Sequence, residues 1–252
     1  MAPPLIALDF DGVLCDSAGE TAVSAWYAGS GIWSEWQGDP PRTLVDRFRQ
    51  LRPALETGYQ AVPLLRAAAS NRSVSDILEN ASDIVADIMR GNGLTPDDLK
   101  ARFAAARDEW IRRDPESWLA SHRFYPGVLE RVQNAMCNAD VIIVTTKQER
   151  FVNRLLEKAN LPFPADSILG LDRGRPKEVL LEERLSGPAP PSAAHLVEDR
   201  LATLERLRAV PALHRLQLYL AAWGYNTEPD HARARDLDIP VWQLKDFLVA
   251  LH

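Results

Sequence analysis

The sequence predicts an α/β fold in which a doubly wound parallel sheet forms the core and one all-helical segment interrupts it. Three observations lead to this prediction. A strand at 5–10 is apolar on both faces, as expected at the centre of a parallel sheet. Helical patterns then continue for about a hundred residues. Beyond Val128, strand and helix patterns alternate, which is typical of βαβ units.

The helical insert is predicted over residues 17–123. Apolar residues recur at helical spacing through 73–90, which predicts helical structure there. Another helix is predicted to begin at Pro96, with Thr95 as its N-cap, and to continue to Arg113. Shorter helices are predicted around 20–27, 43–51 and 59–69.

The core is predicted to comprise residues 1–16 and 124–252. Its helices are expected at 128–138, 148–159, 177–185 and 200–209, and its later strands at 141–145, 168–170, 195–197 and 216–221. The strand at 141–145 is rich in β-branched residues, which favour strands.

The composition limits the classes of partner. The chain of 252 residues has a net charge of −6, so it has no general attraction for nucleic acid or an anionic membrane. Its first apolar stretch is short and interrupted by carboxylates, and no apolar run reaches the roughly 18 residues of a membrane span. The two cysteines, Cys15 and Cys137, cannot build a disulfide framework and are expected to be small core residues. We therefore predict a cytoplasmic protein without membrane or nucleic-acid partners.

Two carboxylates, Asp9 and Asp11, follow the first strand. Side chains alternate along a strand, so both are expected to point the same way from its carboxyl end. Like charges aimed at one place repel each other, so we expect a cation between them. A hydrated turn is the alternative interpretation.

The ends of the other elements carry complementary groups. They are Thr145 and Thr146, with Lys147 next, then Lys177 at a helix start, then Glu198 and Asp199. Ligands bind at the carboxyl ends of strands in such sheets. Oxygen ligands suit Mg²⁺, and a helix N-terminus with a lysine suits an oxyanion. This set could hold a divalent metal and a phosphate together.

The order Asp-x-Asp-Gly-Val, apolar strand-Thr, Lys, apolar strand-Glu-Asp resembles the haloacid dehalogenase (HAD) superfamily of hydrolases. The segments FYPGV, VTTK and AAWGYNT are similar to its phosphoglycolate-phosphatase-like branch. The resemblance covers the core at both ends of the chain. It implies a Rossmann-like core with a helical cap inserted after the first motif, and residues 17–123 fit that cap.

The resemblance also implies roles for individual residues. Asp9 would be the nucleophile that forms an aspartyl phosphate, and Asp11 the general acid and then the base. Thr145 would hydrogen-bond the phosphoryl oxygens, and Lys177 would neutralise nucleophile and phosphate. Two neighbours are added as phosphate-binding candidates, Gly12 and Thr146.

The implied Mg²⁺ ligands are Asp9, the backbone carbonyl of Asp11, Glu198 and Asp199. Which of the last two binds the metal directly stays open. The third motif also leaves two assignments open, Arg175 and Lys177. Lys177 is preferred because it opens a helix.

We predict a Mg²⁺-dependent phosphatase that acts on a small phosphorylated metabolite. The Asp-x-Asp pair argues against a dehalogenase, because the resemblance implies that dehalogenases of this family lack the second Asp. The alternatives are a phosphomutase or phosphonatase of the same fold, or a non-catalytic phosphate-binding regulatory protein. The sequence leaves the substrate and the oligomeric state open.

Overall fold

The computed structural model describes residues 2–250. The chain divides into two compact units. One comprises Met1–Asp16 and Phe124–His252, and the other comprises Ser17–Arg123. The first contains a parallel sheet with helices, and the second is built from helices.

The strands of the described residues are β1 (Leu5–Leu8), β2 (Cys15–Asp16), β3 (Arg123–Phe124), β4 (Asp140–Val144), β5 (Ile168–Leu169), β6 (Ala194–Glu198), β7 (Leu216–Ala221) and β8 (Val241–Trp242). Six of them form one sheet within residues 2–250, in the order β5-β4-β1-β6-β7-β8. Every neighbouring pair in it is parallel. The α/β parallel-sheet prediction is thus confirmed.

The strand β1 lies at the centre of this sheet. Its Leu5 is in register with Asp140 of β4 on one side and with Ala194 of β6 on the other. The chain moves outward from β1 to β4 and β5, and then returns to the opposite side of β1 to form β6. Such a reversal of strand order opens a crevice at the carboxyl edge of the sheet. The residues that follow β1, β4 and β6 meet there.

The helices of the described residues are α1 (Ala18–Ser30), α2 (Arg42–Leu51), α3 (Ala61–Ala68), α4 (Val74–Glu79), α5 (Ala81–Gly91), α6 (Pro96–Arg113), α7 (Pro115–Ala120), α8 (Val128–Ala135), α9 (Glu149–Lys158), α10 (Lys177–Leu185), α11 (Leu201–Arg208), α12 (Glu228–Asp236) and α13 (Leu244–Ala250). None of them combines the length and the hydropathy that a membrane span needs, within the residues described.

One buried cluster joins the sheet to two of its helices. It contains Leu5 and Ala7 of β1, Leu196 of β6, Leu181 of α10 and Leu204 of α11. All four residues of β1 are buried, which explains why this strand is apolar on both faces. Burial on both sides fixes β1 as a rigid support for the residues that follow it.

The helical unit has a core of its own. Trp26 and Trp36 stack with ring centroids 4.7 Å apart, and Trp33 packs against Trp36 at the same distance. The carboxylate of Glu20, which is fully buried, accepts two hydrogen bonds from the Arg107 guanidinium at 2.7 and 2.9 Å. A buried carboxylate needs such a partner because its desolvation is costly.

Helical structure over 73–90 is present but not continuous. It is divided at Asn80, which ends α4 and precedes α5 with φ −118° and ψ 22°. The Asn80 amide donates to the backbone oxygen and a carboxylate oxygen of Asp76. An asparagine side chain competes in this way with the helical backbone hydrogen bonds. The spacing of the hydrophobic residues therefore does not predict the break at Asn80.

The cysteine prediction is half right. Cys15 is buried, whereas Cys137 is exposed. The helix expected over 128–138 ends at Ala135, because the chain turns there with hydrogen bonds from Cys137 and Asn138 back to the last turn of α8. Cys137 therefore lies on the surface instead of on a buried helical face.

Candidate active site

A tight turn follows β1, which ends at Leu8 and not at residue 10. The amides of Leu14 and Cys15 both donate to the Phe10 carbonyl, at 2.9 and 3.0 Å. Gly12 has φ +88°, a value that favours glycine. Asp9 still pairs with β6, since its amide donates to the Val197 carbonyl at 3.0 Å, whereas Asp11 lies within the turn. The expectation that both side chains point the same way from the strand stays a prediction. The turn gives their carboxylates different partners.

Lys177 bridges two of the predicted carboxylates. Its Nζ lies 2.9 Å from Asp9 Oδ1 and 2.7 Å from Glu198 Oε2. Lys177 is the first residue of α10, directly after Pro176, so the start of the helix fixes its backbone. Burial alone would lower the pKa of the Lys177 ammonium, but attraction to Asp9 and Glu198 outweighs burial, and the pKa is raised. The ammonium is therefore charged.

Arg175, the other candidate for the third motif, lies elsewhere. Its guanidinium forms an ion pair with Glu183 at 2.6 Å, and both side chains are exposed. Of the two candidates, the structure brings Lys177 to Asp9.

Three buried carboxylates form one group. Each of Asp9, Glu198 and Asp199 has an oxygen within 4.8 Å of those of the other two. The two oxygens of Glu198 accept from Lys177 and from the Arg200 amide, the latter at 3.1 Å. Asp199 Oδ2 accepts from the amide of Tyr225 at 2.8 Å. Asp11 is not a member of this group.

The group carries more negative charge than one lysine balances. Burial raises the pKa of Asp9 from 3.8 to about 7, against the lowering effect of Lys177, and Glu198 raises it further. Two like charges about 4 Å apart repel each other by about 4 kcal/mol at an effective dielectric constant of about 20. Buried carboxylate oxygens in excess of their counter-charge fit a hard divalent cation such as Mg²⁺.

Asp11 forms a separate ion pair with Lys147. The distance from Lys147 Nζ to Asp11 Oδ1 is 3.2 Å, and Lys147 is buried. Lys147 lies shortly after β4, but the local sequence pattern does not indicate a partner or a role for it. The contact joins residues 136 positions apart in the chain, a pairing that local patterns do not encode.

The two threonines after β4 differ in exposure. Thr145 is buried, its amide donates to the Leu169 carbonyl at 3.0 Å, and its Oγ1 accepts from the Lys147 amide at 3.1 Å. Thr146 is exposed. The structure thus places Thr145 next to Lys147 at the carboxyl end of β4.

A loop after β7 supports Asp199. A Cβ built on Gly224 would lie 2.3 Å from Asp199 Cβ and 2.5 Å from the Gly12 carbonyl oxygen. A Cβ on Gly12 would lie 2.1 Å from Asp199 Oδ2. Asn226 Nδ2 donates to the Asp199 carbonyl at 2.9 Å. Gly224 and Asn226 lie in the segment AAWGYNT, and its sequence alone does not indicate the contact with Asp199.

No protein-family model matches the sequence, and no curated protein matches it. Several solved structures match its fold over nearly the full length of both chains at low identity. A predicted phosphoglycolate phosphatase from Haemophilus somnus is 18% identical with a TM-score of 0.61, and the match covers 97% of this chain and 96% of that one. A predicted phosphatase from Clostridium acetobutylicum is 14% identical with a TM-score of 0.58, over 98% and 97% of the two chains.

A haloacid dehalogenase-like family protein from Streptococcus pneumoniae, described as a hydrolase, is 13% identical with a TM-score of 0.54. The match covers 96% of this chain and 94% of that chain. The chain has the haloacid dehalogenase-like fold. This agrees with the fold that the order of motifs implied. At these identities the likeness establishes the fold and leaves the chemistry to the site itself.

In this haloacid dehalogenase-like fold, most of the predicted site residues meet at one edge of the sheet. Asp9, Lys177, Glu198 and Asp199 are brought together, and Gly12 packs against Asp199. The remaining candidates are Asp11, which pairs with Lys147, the buried Thr145, the exposed Thr146, and Arg175, which pairs with Glu183.

We expect Gly224→Ala to weaken Mg²⁺ binding, because the added methyl group would displace Asp199. A Cβ on Gly224 would clash with both Asp199 and the Gly12 carbonyl oxygen, so either the loop or the Asp199 carboxylate must move. The measurement is the Mg²⁺ concentration that gives half-maximal thermal stabilisation, which should rise. Gly187→Ala is the matched control, since its Cβ would be no closer than 3.7 Å to a neighbour. Equal Mg²⁺ dependence in both variants would contradict the proposed support of Asp199.

Proposed function

We propose that this protein is a Mg²⁺-dependent phosphatase that hydrolyses a small phosphorylated metabolite through an aspartyl phosphate on Asp9. The observation that carries the proposal is the buried Asp9 carboxylate, held by Lys177 at 2.9 Å beside two further carboxylates. Two solved structures of the same fold, a predicted phosphatase and a predicted phosphoglycolate phosphatase, support this class of reaction.

In the first step, an oxygen of Asp9 attacks phosphorus, and the bond between phosphorus and the ester oxygen breaks. Asp11 donates its proton to the departing alkoxide, which leaves as an alcohol. The Lys177 ammonium fixes the Asp9 carboxylate and offsets part of the negative charge that gathers around the phosphoryl group. Forming a covalent intermediate divides one difficult displacement into two easier ones.

In the second step, water attacks phosphorus of the aspartyl phosphate. Asp11, now a carboxylate, accepts a proton from this water, and the bond between phosphorus and Asp9 breaks. Inorganic phosphate is released and both aspartates return to their starting states. The same residue thus serves as acid and then as base, as microscopic reversibility of the proton transfers requires.

Thr145 is suited to bind a phosphoryl oxygen. Its Oγ1 accepts from the Lys147 amide, so its hydroxyl hydrogen is available for donation. Burial at the end of β4 fixes the hydroxyl close to the residues that follow β1. Thr146 and Gly12 remain secondary candidates for contacts with phosphate.

The residues that would hold Mg²⁺ are Asp9, Asp199, Glu198 and the backbone carbonyl of Asp11. When bound, the ion supplies positive charge that lets a phosphate dianion approach the carboxylates. Glu198 accepts from Lys177 and from the Arg200 amide, so it would fix Lys177 as well as face the ion, and Asp199 would face the ion from the loop end that the Tyr225 amide holds.

The proposal is tested by assaying release of p-nitrophenol from p-nitrophenyl phosphate. We expect hydrolysis with Mg²⁺, none in excess chelator, and recovery when Mg²⁺ is restored. If phosphorylated metabolites from a panel bind under the same conditions and none is hydrolysed, the protein is instead a non-catalytic phosphate-binding protein. Full activity in chelator would refute the metal requirement.

A further inference from the structure

Two lysines contact three of the four carboxylates of the site. Lys177 contacts Asp9 and Glu198, and Lys147 contacts Asp11. Lys147 is unusual for a lysine, because only 5% of its side chain is exposed. Burying an ammonium is costly, so the desolvation cost of Lys147 must be offset by its attraction to the Asp11 carboxylate.

The backbone of Lys147 is fixed on both sides. Its amide donates to Thr145 Oγ1 at 3.1 Å, and its carbonyl accepts from the Leu171 amide at 3.0 Å. A side chain on Gly170 could not fit beside it, since a Cβ there would lie 2.7 Å from the Lys147 carbonyl oxygen. Lys147 is thus held where β4 ends, and its ammonium extends to the turn after β1.

The contact involves both carboxylate oxygens of Asp11. Lys147 Nζ lies 3.2 Å from Oδ1 and 3.5 Å from Oδ2 of that residue, so it faces both carboxylate oxygens. The carboxylate group of Asp9, Glu198 and Asp199 does not include Asp11. An ammonium facing both oxygens holds Asp11 apart from that group and keeps its carboxylate from acting as one more ligand there.

We infer that Lys147 is a positioning residue for Asp11, which keeps the Asp11 carboxylate out of the cation site and placed for proton transfer to the leaving group. The inference rests on the proposed phosphatase function. It assigns Lys147 no contact with substrate and no proton of its own. Its effect should therefore appear only in steps that need Asp11.

The leaving group distinguishes positioning from a structural role. An alkoxide needs a proton as it departs, whereas p-nitrophenolate leaves readily without one. If Lys147 acts through Asp11, removing it should slow the first-turnover release of the alcohol from an alkyl phosphate far more than the first-turnover release of p-nitrophenol. The second step needs Asp11 for either substrate, so the first turnover is the step that separates them. A lysine that only stabilises the fold would change both rates equally.

The experiment compares Lys147→Met, Lys147→Arg, Asp11→Asn and the double variant on propyl phosphate and p-nitrophenyl phosphate. For Lys147→Met we expect the first-turnover rate of propanol release to fall about 10- to 100-fold, the range for a lost charged hydrogen bond. We expect the first-turnover rate of p-nitrophenol release to fall by less than about threefold, and the affinity for both substrates to stay nearly constant. The double variant should resemble Asp11→Asn alone, because both changes remove one function.

Lys147→Arg should restore most of the rate on propyl phosphate, since a guanidinium can also face both oxygens. Lys245→Met is the matched control, because Lys245 is exposed on α13 and the substitution is the same. Equal losses of Lys147→Met in first-turnover release from both substrates, or losses that multiply with those of Asp11→Asn, would overturn the inference.

A crystal structure of Lys147→Met tests the placement without any assay. We expect the Asp11 carboxylate to leave the position that it has beside Lys147, while Asp9 and Lys177 stay in contact. An unchanged Asp11 carboxylate would overturn the inference even in an active enzyme. A wild-type protein that hydrolyses neither substrate would refute the proposed function, and the crystal structure would still decide whether Lys147 places Asp11.

Discussion

Asp9→Asn should reduce turnover by at least about 10⁴-fold, because the amide oxygen is a poor nucleophile and the covalent route is closed. The substitution keeps the size of the side chain, so the variant should fold. The measurement is kcat for p-nitrophenyl phosphate with saturating Mg²⁺. A parallel test is acid-stable labelling of the protein by a radioactive phosphoryl donor, which should be lost.

Asp236→Asn is the matched control for this prediction. Asp236 is exposed at the end of α12 and has no part in the carboxylate group, so the same chemical change should leave kcat unaltered. If Asp9→Asn retained a tenth of the wild-type rate, about a thousandfold more than expected, Asp9 would not be the nucleophile.

Lys177→Met should both inactivate and destabilise the protein. Its ammonium bridges two buried carboxylates, and only 10% of the Lys177 side chain is exposed. Breaking a buried ion pair by removing one partner typically costs about 3 to 5 kcal/mol of unfolding free energy. Chemical denaturation in chelator measures this loss. Lys245→Met, on an exposed position, should change the unfolding free energy little.

The loss of stability in Lys177→Met should depend on pH. Burial raises the pKa of Asp9 from 3.8 to about 7, so between these values the folded state holds a proton that the unfolded chain has released. The unfolding free energy therefore falls as pH rises through this window. Lys177 lowers the pKa of Asp9, so its removal should extend the window upward and cost more at about pH 8 than at about pH 5. An equal cost at both pH values would contradict this account.

Local sequence patterns placed most elements of the fold. The helix from Pro96 to Arg113 has its predicted bounds, because Thr95 and Asp98 form the capping box that begins it. The helix Lys177–Leu185 and the strand Leu216–Ala221 also have their predicted bounds. The last strand and the helices α12 and α13 were not predicted. For β8 the reason is its length, because two residues are too few to show an alternating pattern.

The candidate site was predictable in its residue types and less so in its pairings. Strand ends are marked in the sequence by an apolar run that stops on a polar residue, so Asp9, Thr145 and Glu198 could be found individually. The partner of Asp11 could not, because Asp11 lies in a turn after β1 and its lysine is 136 residues away along the chain. Lys147 was equally hidden, because a lysine after a strand is ordinarily exposed to solvent.

The sequence by itself determined the parallel α/β core, the position of the helical insert and the order of the carboxylates, hydroxyl and lysines along the chain. These depend on hydrophobic period, capping and strand ends, which act over a few residues. Only the tertiary structure decided which lysine meets which carboxylate. Lys177 meets Asp9 across 168 residues and Lys147 meets Asp11 across 136. Such pairings follow from the strand order around β1, because charge attraction is set by distance in space and not by separation along the chain.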